Sequence, residues 1–350
     1  MPSQSRLNRV RFLKSVVCSN FVQPAFPYKL TFALTYRCNL RCKTCLIWSK
    51  EPKPELTFED IARFFGKSNG FSWIDLTGGE IFLRKDLNEI VKLILSDCRS
   101  LCILHFPTNG QLPDNVLKTA QIIRGAKRVV PVITVSIDGP EEIHNRLRGS
   151  GHAWKNAVET FVALKKTGLK HVYIGYTVSE YNAGKASEAF AAVKNIYRDL
   201  TYDDMHVNFF HTSAHYLNNA AQSPVSETPM LEELEMFHEK RRKKGIKKSL
   251  EERYFRGIPQ YLYVKRMPLK CQALRSTLFL DPYGDIYPCS IYDRKIANIR
   301  DIEYDLGKLW RGKGKVEAAR NDISRHICGG CWTPCEAYPS ILGSLFSPLK

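Results

Sequence analysis

Cys38, Cys42 and Cys45 stand in a C-x3-C-x2-C spacing directly after a β-branched and aromatic run, Leu30 to Tyr36. A loop of this length lets three sulfurs turn toward one centre, and cysteine thiolates are the usual ligands of iron–sulfur clusters. A cubane ordinarily takes four cysteines; none follows nearby, so one iron would stay open to another ligand. Zinc prefers four ligands, commonly in C-x2-C pairs, which this spacing fits poorly. Five more cysteines lie toward the C-terminus: Cys271, Cys289, Cys328, Cys331 and Cys335. Cys328-Gly-Gly-Cys331 and the nearby Cys335 form a tight ligand loop, for which a structural zinc ribbon is the competing reading. Cys18, Cys98 and Cys102 lack partner spacing and are expected as small buried hydrophobes. His211 and His215, four apart, are expected to be structural. No P-loop, G-x-G-x-x-G run, H-E-x-x-H motif or Ser/His/Asp arrangement is present.

The elements that must position these thiols form a repeating pattern. Strand-length apolar runs at Leu30–Tyr36, Trp73–Thr77, Leu101–Phe106, Pro131–Ile137, Val172–Val178 and Met205–Phe210 alternate with five helical stretches. Such alternation predicts an α/β fold of parallel βαβ units, whose reactive residues gather at strand C-terminal ends. The cysteine loop, Gly78-Gly79-Glu80, Thr108-Asn109-Gly110 and Ser136-Ile137-Asp138-Gly139 all fall there, and four such clusters predict one site. The domain reading is a basic N-terminal segment (1–28), a partial (β/α)6 TIM-like barrel (29–215), a connector with a charged helix (216–268) and a small cysteine-rich domain (269–350). The last contains a β-hairpin, Ser276–Leu280 and Ile286–Tyr287 around Asp281–Asp285.

The chain has 350 residues, 44% hydrophobic and 25% charged, with no apolar stretch long enough for a membrane span. Arg6 to Val17 lacks the continuous apolar core of a signal peptide. Leu7, Val10, Leu13 and Val17 recur at helical spacing, predicting a helix that caps the core or lies on a membrane surface. The net charge of +17, with runs such as Lys240–Lys244 and Lys247-Lys248, fits a solvated helix face, an anionic substrate, nucleic acid or acidic lipid. Eleven clustered cysteines with metal-like spacings point to a reducing, cytoplasmic setting.

The C-x3-C-x2-C loop after the first strand, Gly78-Gly79-Glu80 after the second and the later strand-end clusters resemble the radical S-adenosylmethionine (SAM) superfamily. The C-terminal cysteines resemble its SPASM/Twitch auxiliary-cluster extension, and the resemblance covers roughly residues 29–340. It implies that Cys38, Cys42 and Cys45 hold a [4Fe-4S] cluster whose open iron chelates the amino and carboxylate groups of SAM. Gly78 and Gly79 would let backbone approach the methionine end, with Glu80 marking the amino-group contact. Ser136 and Asp138 would lie near the ribose or carboxylate. Arg148 would be a carboxylate partner or a surface ion-pairing arginine, and Tyr36 and Trp48 adenine neighbours or core. Cys271 and Cys289 bracket seventeen residues, including Gly284-x4-Cys289, as in a Twitch or shortened SPASM domain. Four of the five C-terminal cysteines would hold one auxiliary [4Fe-4S] cluster: Cys271, Cys289, Cys328 and one or both of Cys331 and Cys335.

The function so implied is reductive cleavage of SAM to a 5′-deoxyadenosyl radical that takes a hydrogen atom from substrate. The auxiliary cluster would move electrons or hold substrate, and a flavodoxin- or ferredoxin-type donor would supply them. The expected substrate is a peptide, a protein or a small polar or anionic metabolite. Fewer than thirty residues precede the barrel, which weighs against a leader-binding domain. Peripheral membrane contact fits the basic N-terminus, and no specific nucleic-acid partner is expected. The alternative is a non-enzymatic, zinc-binding protein that engages nucleic acid through its basic surface.

Overall fold

The computed structural model describes residues 4–222, 227–241, 245–311 and 314–349. Arg242, Lys243 and Lys244 of the basic run, and residues 223–226 of the connector, lie outside them.

The predicted alternation is present. Strands β1 (Lys29–Thr35), β2 (Trp73–Gly78), β3 (Ile103–Thr108), β4 (Val130–Ser136), β5 (Val172–Val178) and β6 (Met205–Phe209) pair in parallel, each with the next. Helices α2 (Phe58–Lys67), α3 (Leu87–Asp97), α4 (Pro113–Gly125), α6 (Ala153–Lys166) and α7 (Ala186–Ile196) return the chain between them. One further helix, α5 (Glu141–Arg148), follows β4; its sequence is short and charged, and it buries only His144 and Leu147. The start of α2 shows the local logic. The Thr57 side chain accepts from the Asp60 amide, Asp60 answers the Thr57 amide, and Ile61, Phe64 and Phe65 turn into the core.

The strands alternate in a way that decides where the site lies. Leu30, Phe32, Ile74, Leu76, Leu104, Phe106, Ile133 and Ile174 face outward into the core beneath the helices. The opposite face carries Lys29, Asp75, His105 and Thr134, joined in a chain. Lys29 Nζ lies 2.9 Å from Asp75 Oδ2, Asp75 Oδ1 lies 3.1 Å from His105 Nδ1, and His105 Nε2 lies 3.1 Å from Thr134 Oγ1. Burial opposes both charges. Even so, Lys29 and His105 hold the Asp75 carboxyl well below its ordinary range, and Asp75 keeps Lys29 charged. A partial barrel with a polar lining leaves room for a ligand where a closed barrel would pack apolar layers.

The hairpin predicted for the C-terminal region forms, but the sheet has no break at residue 269. Strand β7 (Thr277–Leu280) pairs in parallel with β1, and β8 (Asp285–Tyr287) and β9 (Ala297–Asn298) continue antiparallel. The result is one nine-stranded sheet, β6-β5-β4-β3-β2-β1-β7-β8-β9. β1 is therefore an interior strand, buried along its whole length, and the cysteine loop issues from its end. The connector's helices, α8 (Glu227–Glu239) and α9 (Ile246–Val264), precede this region; α10 (Leu306–Trp310), α11 (Lys315–Ser324) and α12 (Pro334–Leu342) complete it. Asp60 ties the two parts: Arg300 Nη2 and the Tyr304 hydroxyl each donate to it at 2.6 Å.

Helix α1 (Gln4–Phe21) forms as predicted but not in the orientation a core cap requires. Leu7, Val10, Leu13 and Val17 face solvent, while Asn8, Val16 and Ser19 are buried. Hydrogen bonds from Asn8 and Asn20 to the Arg99, Leu101 and Leu342 carbonyls fix this rotation. Among the described residues, no helix is long and apolar enough to cross a membrane.

Candidate functional site

All four strand-end clusters converge on a cavity of about 340 Å³. Its wall includes Cys38, Cys42, Cys45, Gly78, Gly79, Asn109, Ser136, Asp138 and Arg148. The cysteine loop is clamped from two sides. The Arg41 and Lys43 amides donate to the Arg148 and Leu147 carbonyls at 3.2 and 2.9 Å. From the other side, the Leu46 amide reaches the Leu217 carbonyl at 3.0 Å, and Asn219 Nδ2 reaches that of Thr44 at 2.9 Å.

Gly78 and Gly79 are needed for contact with this loop. A Cβ on either would lie 2.1 Å from a carbonyl oxygen, that of Thr35 or of Arg37. The Gly79 and Glu80 amides donate to those same carbonyls, each at 2.8 Å. The close approach that demands glycine is thus between two strand ends, with both glycines also lining the cavity. The Glu80 carboxylate turns away from the cavity to accept from the Asn109 amide at 2.7 Å and the Thr108 hydroxyl at 3.2 Å. Burial raises its pKa to about 7, against the lowering effect of these donors.

Arg148 is not a surface residue. Its Nε donates to Asp138 Oδ2 at 2.8 Å and its Nη2 joins the same oxygen, while Nη1 lies 3.8 Å from Cys42 Sγ. The other Asp138 oxygen accepts from the Thr177 amide at 2.9 Å, and the Asp138 amide donates to His144 Nδ1 at 3.0 Å. Asn109 makes a matching contact, its Nδ2 being 3.9 Å from Cys38 Sγ and 2.7 Å from Asn39 Oδ1. Sequence reading singled out its turn without assigning it this role. Of the two aromatics, Trp48 lines the cavity, whereas Tyr36 packs against Tyr283 with ring centroids 5.4 Å apart.

The donor set fits a cluster. All eleven cysteines are free thiols. Burial pushes Cys38 up to about 11, Cys45 to about 12, and Cys42 upward against the lowering effect of Arg148. Protonated thiols in a buried pocket ionise when a metal takes the proton's place. Among the described residues, no three His, Cys, Asp or Glu side chains close on a single metal ion. A cubane spreads its ligand sulfurs more widely than one tetrahedral ion, and three soft sulfurs beside an open cavity suit it.

The C-terminal cysteines divide. Cys271, Cys289, Cys328 and Cys331 line one small apolar cavity, from which Cys335 is absent. The Ala273 amide lies 3.4 Å from the Cys271 sulfur and the Tyr292 amide 3.2 Å from the Cys289 sulfur, as donors to thiolate would. Gly329 and Gly330, both at positive φ (77° and 72°), make the turn that brings Cys331 back beside Cys328. Cys335 lines the central cavity instead. Its carbonyl accepts from Lys29 Nζ at 2.6 Å, and its thiol, pushed up to about 11 by burial, sits near Lys29, Asp75 and Glu336. His211 and His215 form no metal pair. His211 Nδ1 donates to the Phe209 carbonyl at 2.8 Å and His215 Nε2 to that of Cys289 at 3.0 Å, and burial lowers both to about 4.

Comparison with known proteins accords with this arrangement. The Radical SAM superfamily signature matches residues 32–185, and that of the SPASM iron-sulfur cluster-binding domain matches residues 271–332. The chain is 24% identical over 332 residues to the antilisterial bacteriocin subtilosin biosynthesis protein AlbA of Bacillus subtilis, covering 87% of this chain and 67% of AlbA. It is 25% identical to the mycofactocin maturase MftC of Mycobacterium ulcerans (87% and 80% covered) and 25% to the GTP 3′,8-cyclase of Aquifex aeolicus (85% and 93% covered). In fold it is similar to Streptococcus suis SuiB bound to its precursor peptide SuiA, with TM-score 0.60, 17% identity, and 90% of this chain and 70% of SuiB covered. These domains imply SAM on a [4Fe-4S] cluster in the barrel and auxiliary iron–sulfur behind it. The chain thus carries a radical S-adenosylmethionine domain followed by a SPASM-type iron–sulfur cluster-binding domain, the make-up of the enzymes it is similar to.

Proposed function

We propose that this enzyme modifies a peptide or protein substrate through hydrogen-atom abstraction. With cluster and SAM bound, the cofactors supply a 5′-deoxyadenosyl radical. The chain's own residues orient the reactants and exclude water. In this reading Cys38, Cys42 and Cys45 ligate the SAM cluster, Arg148 and Asn109 donate to two of their sulfurs, and Ser136 and Asp138 flank the bound SAM. Gly78 and Gly79 set the wall against which its methionine end lies, and Glu80 positions the Thr108–Gly110 turn. Cys271, Cys289, Cys328 and Cys331 ligate one auxiliary cluster. Cys335 faces the substrate.

The observation that carries the peptide reading is the shape of the cleft. A second cavity of about 410 Å³ shares Phe209, Phe210, His211 and Ile291 with the central one and runs past Cys328. The two adjoining cavities make a trough with room for an extended chain. AlbA is named for bacteriocin biosynthesis, MftC as a maturase, and SuiB is seen bound to a precursor peptide, which supports the same reading. A nucleotide substrate, as the GTP 3′,8-cyclase suggests, is served less well. The trough's only arginine or lysine side chains among the described residues are Arg148, already paired, and Lys265.

A photo-crosslinking amino acid at position 210, irradiated in cells, tests the assignment. Adducts of peptide mass, resolved by tandem mass spectrometry, are expected. Adducts confined to nucleotides or other small metabolites overturn it.

A further inference from the structure

The N-terminal helix is turned inside out relative to a helix that caps a core, which buries its apolar stripe and exposes its polar face. Here the polar residues hold the helix down. Asn8 Nδ2 donates to the Arg99 carbonyl at 2.7 Å, and Asn20 donates to the Leu342 carbonyl at 2.9 Å while accepting from the Leu345 amide at 2.7 Å. Phe12 adds an edge contact with Tyr28 at 5.7 Å.

The outward face carries an apolar stripe interleaved with basic side chains. Leu7, Val10, Leu13, Val17 and Phe21 are 39, 59, 60, 37 and 69% exposed and fall on one stripe. Phe346, 72% exposed, stacks on Phe21 with centroids 5.7 Å apart and extends the stripe beyond the helix end. Isolated exposed apolar side chains are ordinary, but a contiguous band is a contact surface. Arg6, Arg9, Arg11 and Lys14 are exposed within and beside the band, and the helix has no Asp or Glu.

We propose that this face binds the surface of an anionic lipid bilayer. An 18-residue helix is about 27 Å long and lies in the interfacial plane with its apolar side chains below the headgroups. The arginine and lysine stems can follow the apolar surface while their charges stay at phosphate level. A second copy of the chain is the poorer occupant, because self-pairing sets the same four cations against one another. The proposal is independent of the substrate reading, and either can fail without the other.

The test is co-sedimentation of the full chain with phosphatidylcholine vesicles, with and without phosphatidylglycerol. The chain is expected to bind the anionic vesicles and to release them as salt rises. Val10→Ser, Leu13→Ser and Phe21→Ser combined are expected to weaken binding more than about tenfold, with thermal unfolding unchanged because these side chains are exposed. Arg9→Gln, Arg11→Gln and Lys14→Gln are expected to cost about fivefold per charge on anionic vesicles only. Equal binding by wild type and the triple serine variant, or no binding of wild type to anionic vesicles, overturns the proposal. So does a wild-type chain that ignores both vesicles and self-associates through this face, with the serine variant monomeric.

Discussion

The guanidinium of Arg148 stands 3.8 Å from the sulfur of Cys42, its other nitrogens committed to the Asp138 carboxylate. This links the end of β4 to the cysteine loop through one largely buried cation. Burial works against its charge, but Asp138 and Cys42 hold the Arg148 pKa above its ordinary value. Arg148→Met should leave the Asp138 charge without its cation, costing about 3 to 5 kcal/mol. Urea unfolding of the variant measures this, and Arg148→Lys, which keeps the charge but not the fork, should fall between. An unchanged midpoint in Arg148→Met would contradict the pairing.

Cys289 and Cys335 should behave differently although both thiols lie near Glu336. Cys289→Ala is expected to remove the auxiliary cluster and lower bound iron from about eight to about four per chain. Cys335→Ala should retain the iron and lose product formation. Iron and sulfide analysis after anaerobic reconstitution separates the two. Equal iron loss in both variants would return Cys335 to the ligand set.

The distinction between these thiols was not legible in the chain alone, because Cys328, Cys331 and Cys335 are too close in sequence for spacing to sort them. The Gly329-Gly330 turn and the start of α12 at Pro334 send them to opposite sides. The alternation of strands and helices was legible, since every barrel strand carries an outward apolar row. So were the strand-end clusters, whose polar and glycine residues exceed what loops need. The pairing of β7 with β1 was not, because a four-residue apolar strand does not name its neighbour. The rotation of α1 was not legible for a related reason, and the core-cap and surface-helix readings stayed open. Helical spacing locates an apolar stripe but not the side it faces, which Asn8 and Asn20 decide through carbonyls far along the chain.

Gly79→Ala should be poorly tolerated. Its Cβ would lie 2.1 Å from the Arg37 carbonyl oxygen, a backbone atom in the cysteine loop. Relief requires moving one strand end, at a cost of about 1 to 3 kcal/mol by analogy with overpacking. Gly66→Ala, inside α2 with nothing within 4 Å of the new Cβ, is the control and should melt at or slightly above wild type. Comparable losses in both would rule out the contact as the cause.

Glu80 gives a pH dependence. Its carboxyl is raised from 4.5 to about 7 by burial, so the folded chain holds a proton that the unfolded chain has lost. Stability from this group is full below pH 4.5 and declines as pH rises to about 7, by about 3 kcal/mol across the window. Glu80→Gln, which keeps an oxygen to accept from Asn109, should flatten that decline in thermal melts taken across the window. A variant whose pH profile parallels wild type would remove Glu80 as the source.

The central claim is that Cys38, Cys42 and Cys45 hold the cluster that engages SAM. Formation of 5′-deoxyadenosine by the anaerobically reconstituted, dithionite-reduced enzyme tests it most directly. Wild type should produce 5′-deoxyadenosine, and Cys42→Ala should produce none while retaining the iron of the auxiliary site. Undiminished 5′-deoxyadenosine from Cys42→Ala would contradict the assignment.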